Sequence, residues 1–131
     1  MSSAATINRV VIAAVDDMFF AAKIRATAEH LGVQVQFARS NDSVIKAANA
    51  ASPALIIVDL HSLKIDALTL SRQLKADDQL RGVPLVGFFS HVDTELKTQA
   101  EDAGFDQVLP RSLFTRNLSD ILSGAGGFPH Q

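Results

Sequence analysis

The 131-residue chain has no cysteine, which excludes disulfides and thiolate chemistry without fixing a compartment. It carries little net charge, −2 at pH 7, which argues against a nucleic-acid-binding surface. It lacks a long apolar run: residues 10–15 are too few to cross a membrane, and two acids follow them. No cationic start marks a signal peptide, so a cytoplasmic protein without membrane association is expected. There is no internal repeat and no low-complexity block. The glycine-rich stretch at 124–127 has no strand before it and no Lys-Ser or Lys-Thr after it, so it is not a phosphate loop. No nucleotide loop or catalytic dyad supports an enzyme.

What the chain does have is ordinary for a soluble globular domain: 47% apolar and 20% charged residues, with length for one real core. Residues 1–6 read as a loose lead-in. Two continuous apolar runs, Val10-Val11-Ile12-Ala13-Ala14-Val15 and Ala54-Leu55-Ile56-Ile57-Val58, read as strands buried on both faces. The first is followed by Asp16-Asp17 and the second by Asp59. Phe20, Ile24, Ala28 and Leu31 recur at helical spacing, and Gly32 suits the stop. Residues 33–37 alternate with period two, as in a strand near a sheet edge. Ser40-Asn41-Asp42 offers caps for a helix carrying Val44, Ile45 and Ala48.

A helix over 67–76 follows, then a strand over 84–89. Next comes a helix capped by Ser90 or Asp93 and ended by Gly104, then a short strand around Val108-Leu109. Ser112 offers a cap for a last helix carrying Phe114, Leu118 and Ile121. Five β-α repeats predict a parallel sheet with helices on both faces. Acids at the carboxyl ends of its strands stand where open α/β sheets place their chemistry.

This order, with Asp16-Asp17 after the first strand, Asp59 after the third and Gly104-Phe105-Asp106 before the fifth, resembles the receiver domains of bacterial response regulators. The resemblance covers roughly residues 8–123. It implies a flavodoxin-like (βα)5 three-layer sandwich with a five-stranded sheet of order 2-1-3-4-5. The expected organisation is a single receiver-like domain over 7–123 and a short C-terminal tail over 124–131. The resemblance further implies that Asp59 accepts a phosphoryl group from a histidine kinase or phosphotransfer protein. It implies that Asp16, Asp17 and Asp59 hold Mg2+. A carboxylate is a competent nucleophile toward phosphorus, and a hard cation would offset the gathered negative charge. Asp16-Asp17 also suits a plain helix start, favoured by the helix dipole.

The resemblance also locates departures. The family's hydroxyl falls 30 residues after the acceptor, at Phe89, and its lysine 52 after, at Arg111. A phenyl ring cannot donate to a phosphoryl oxygen; the adjacent Ser90 is the candidate substitute. Arg111 keeps the charge as a planar fork, able to clasp Asp59 directly or to bind a phosphoryl group. The proline after the lysine is replaced by Ser112, the switch aromatic by Val108, and the Met-Pro after the acceptor by Ser62-Leu63. His61 and His91 sit two residues past site positions, as exposed loop residues or as ligands of a transition metal. Phe105 replaces a small residue and is a candidate exposed contact on the face of the last strands and helices.

Two functions follow as expectations. One is a phosphorelay receiver with Asp59 as acceptor, Arg111 as phosphate cation and a downstream protein partner. The other is a pseudo-receiver, an interaction module that keeps the fold without the switch and is read near Phe105 and the last helix. No DNA-binding segment is seen, so any effect on transcription would pass through another protein.

Overall fold

The computed structural model describes residues 9–90 and 93–124. The expected lead-in at 1–6, His91 and all but the first residue of the expected tail lie outside the described residues. Five strands form one parallel sheet of order β2-β1-β3-β4-β5. They are β1 Val10–Ala14, β2 Gln34–Phe37, β3 Leu55–Asp59, β4 Leu85–Phe89 and β5 Gln107–Pro110. The central runs are apolar throughout because helices cover both faces. Every residue of β3 and β4 is buried, whereas β2, at one edge, is exposed or half-buried along its length.

Strand alternation divides the core in two. On one face Ile12, Ile56, Val58, Leu85 and Phe89 pack with Val44, Ala48, Leu70, Leu74 and Ala100. Those partners come from helices α2 Asn41–Ala51, α3 Ala67–Ala76 and α4 Thr94–Ala103. On the other face Val11, Ile57, Val86 and Phe88 pack with Phe20, Ile24, Phe114 and Ile121. Those come from α1 Met18–Leu31, α5 Arg111–Arg116 and α6 Leu118–Ser123. The three layers are the ones the β-α alternation predicted.

Local chemistry sets the helix ends. Gly32 stops α1 at φ 74. Ser40 caps α2 in a reciprocal box with Ser43. Asp93, and not Ser90, caps α4. The last helix departs from expectation. It begins at Arg111, directly after Pro110, without a side-chain cap, and it breaks at Asn117 (φ −100, ψ 12) into two six-residue helices. Proline's locked φ, here −64, suits a position at a helix start. Its missing N–H costs little because β5 is an edge strand. Arg111 is therefore carried on a helix, one residue after a rigid one.

Phe105 is buried, contrary to the expected exposed contact. Gly87 of β4 has no side chain, and the Phe105 ring takes that space: a Cβ on residue 87 would lie 3.0 Å from Phe105 Cδ2, Phe105 Cε2 and Leu60 Cδ2. A large residue before β5 is thus matched by the smallest one on β4.

Candidate functional site

β1 and β3 are neighbours, so their carboxyl ends bring Asp16, Asp17 and Asp59 to the same end of the sheet. The three acids are not equivalent there. Asp17 is the N-cap of α1: its Oδ1 accepts from the backbone N–H groups of Phe19 and Phe20, each at 3.0 Å. Its Oδ2 accepts from Arg111 Nη2 at 3.1 Å. The Phe20 N–H, followed by the Arg111 hydrogen bond, holds the Asp17 carboxyl below the usual carboxylate range.

Arg111 therefore pairs with Asp17, whereas the sequence allowed a direct clasp on Asp59. Two features fix its place. Its guanidinium lies 4.2 Å from the centroid of the Phe20 ring, a cation–π contact. Beneath it Phe20, Phe88 and Phe114 form one aromatic stack, with centroids 4.8 Å apart for Phe20–Phe88 and for Phe88–Phe114. Phe88 stands opposite Asp59 in the β3–β4 ladder, so the stack floors the site.

Asp59 ends β3 and is only 7% exposed. Its Oδ1 accepts from the His61 N–H at 2.9 Å. Burial pushes its carboxyl above the usual range, opposed by the His61 hydrogen bond; the nearby Asp16 charge raises it further and Arg111 lowers it. His61 is half-buried and structural, not an exposed loop residue. Its Nδ1 accepts from the Ser90 N–H at 3.1 Å, tying the loop after β3 to the end of β4. An accepting Nδ1 places the ring proton on Nε2.

Two of the positions that depart from the family pattern, 89 and 108, lie on the other face of the sheet from Asp59. Alternation puts Asp59 on the α1/α5 face with Ile57, while Phe89 and Val108 are buried in the α2–α4 layer. The Phe89 ring is therefore core filling and does not close over Asp59. Ser90 is exposed and reaches the site through its backbone N–H.

Sequence reasoning missed an apolar rim. Met18, Phe19 and Leu63 are 76%, 91% and 98% exposed, the large exposed hydrophobic residues among those described. Met18 and Phe19 open α1 beside the two acids, and Leu63 lies in the loop after Asp59, so all three edge this end of the sheet. The available signal was that Met18 and Phe19 fall off the Phe20/Ile24/Ala28 stripe.

Among the described residues, no three of His, Asp or Glu are grouped so as to share a metal ion. Asp17 in particular spends both oxygens on three donors. In this arrangement the acids do not fit the three-carboxylate metal site implied by the resemblance.

No protein-family model matches the chain, and no curated protein does. Solved structures match over nearly the whole length. A response regulator from Hahella chejuensis has a TM-score of 0.81 at 18% identity, covering 94% of this chain and 98% of that one. The phosphorylated cyanobacterial phytochrome response regulator RcpA has 0.75 at 19%, covering 92% of each. The Mn2+-bound form of the response regulator Rcp1 has 0.72 at 15%, covering 92% and 93%. The likeness is one of fold: this chain adopts the receiver-type fold of these response regulators.

Proposed function

We propose that the chain is a receiver-like signalling domain, residues 7–123 with 124–131 as a tail, working in the cytoplasm through protein–protein contacts as a pseudo-receiver. One observation carries this reading. Phe89 and Val108 are both core residues of the α2–α4 layer. No hydroxyl at position 89 can slide toward a group on Asp59, and no aromatic ring at 108 can swing to report it. The face offered to a protein partner is the apolar rim of Met18, Phe19 and Leu63 around the acids, since Phe105 is buried.

A second reading has one specific support. Asp59 ends β3 in a fold shared with a response regulator solved in phosphorylated form. In that reading Asp59 is the phosphoacceptor for a histidine kinase or phosphotransfer protein. Arg111 would turn from Asp17 toward the phosphoryl oxygens.

The two are separated by incubating the protein with acetyl phosphate and Mg2+ and weighing the intact chain. The pseudo-receiver gives no adduct. A phosphoryl mass increase that disappears in Asp59→Asn would overturn it in favour of the phosphorelay.

A further inference from the structure

We infer that Arg111 is the resident cation of this acidic site, an intramolecular counter-ion that keeps a divalent ion out. The inference rests on reading this end of the sheet as a receiver-like site, and its test is separate, because ion binding is measured with no phosphoryl donor present.

Two observations support it. First, Arg111 takes Asp17 Oδ2 at 3.1 Å and two backbone N–H groups take Oδ1, so three donors, one of them cationic, already occupy the carboxylate. Second, the guanidinium is held from three sides: the carboxylate, the Phe20 ring at 4.2 Å, and a backbone that leaves Pro110 directly into α5. The guanidinium thus stands at the acidic end of the sheet as the cation hydrogen-bonded to one of its three acids. A divalent ion entering beside it would meet a like charge and lose Asp17 as a ligand. Removing the guanidinium frees an oxygen of Asp17 and takes away its ion-pair partner, while Asp16 makes no hydrogen bond or ion pair with described residues.

The consequence is a latent site that a single substitution uncovers. Arg111→Met keeps an apolar stem against Phe20 and removes the charge. Arg111→Gln is the second variant, should the first disturb folding. Mn2+ is the probe, followed by paramagnetic broadening of backbone amide signals and by titration calorimetry. The wild type is expected to leave the amides of residues 15–20 and 59–61 sharp at submillimolar Mn2+. Either variant is expected to bind Mn2+ about tenfold more tightly, as loss of one unit charge near a divalent ion in a half-exposed site requires. Adding Asp59→Asn to the variant should cancel that gain. Selective broadening of those amides in the wild type, with affinity equal to the variants, would overturn the inference. So would a gain that survives Asp59→Asn, because the ion would then lie elsewhere.

Discussion

Phe105→Ala distinguishes a packing residue from a docking residue, and so decides which face a partner reads. The ring is 5% exposed and fills the space above Gly87. Truncating a buried phenylalanine costs about 3–5 kcal/mol. Against a total stability on the order of 10 kcal/mol for a chain of this size, the melting temperature should fall by about 10–15 °C. Gly87→Ala perturbs the same space from β4. Its methyl would stand 3.0 Å from the Phe105 ring edge and from Leu60 Cδ2. Overpacking of that kind costs about 1–3 kcal/mol, offset by about 0.5–1 kcal/mol from the smaller chain entropy lost by alanine. In the Phe105→Ala background the methyl has room, so Gly87→Ala should become stabilising there. The double-mutant cycle should then show a favourable coupling of about 1 kcal/mol or more. Urea unfolding is best followed by far-ultraviolet circular dichroism, since the chain has no tryptophan or tyrosine. A Phe105→Ala cost below about 1 kcal/mol, or strictly additive effects, would refute the packing assignment and restore Phe105 as a surface contact.

Two further outcomes follow from the site. Asp59 is raised in the folded state, so the folded chain holds that proton more tightly than the unfolded one. Its contribution to stability is therefore fully present below the unfolded value of 3.8 and is lost as pH rises through the raised folded value. Asp59→Asn should be more stable than wild type at neutral pH, by on the order of 1 kcal/mol, with the difference vanishing in acid; a less stable variant at neutral pH contradicts the burial argument. Phe19 is 91% exposed, so Phe19→Ser should leave stability within about 0.5 kcal/mol of wild type. It should still weaken binding of any protein partner that wild type captures, and unchanged binding would move the docking face away from the rim.

The fold was legible because its signals are local and repeated. Continuous apolar runs marked β1 and β3, the period-two stretch marked an edge strand, and Gly32, Ser40 and Gly104 marked ends that the structure keeps. The position of Asp59 followed from the same pattern, since a strand's last residue is set by where its apolar run stops. What was not legible depends on pairs distant in sequence. Whether Phe105 is inside or outside turns on a missing side chain at Gly87, in another strand. Which acid Arg111 selects turns on α5 starting at Arg111, and no cap residue there announces that start. The exposed rim went unread because attention to the helix's buried stripe passes over residues that fall off it.

The selection of Asp17 by Arg111 has a physical basis. Asp59 is nearly buried, so pairing a guanidinium with it would strip water from both charges, a penalty that often exceeds the Coulomb gain. Asp17 is already held by two backbone N–H groups at a helix start, and the pair keeps side-chain exposures of 33% for Arg111 and 37% for Asp17. Desolvation is then slight, and the Phe20 ring supplies a second contact that needs no water removed from the carboxylate. The arrangement drives the two carboxyls apart: Asp17 is pushed down and Asp59 up. In an enzyme such a split often assigns an acid and a base. Structural ion pairs produce the same pattern. The split instead makes Asp59 the acid whose charge is least settled by its surroundings. A change at Arg111 acts most directly on Asp17, the acid it hydrogen-bonds, and reaches Asp59 only through its charge.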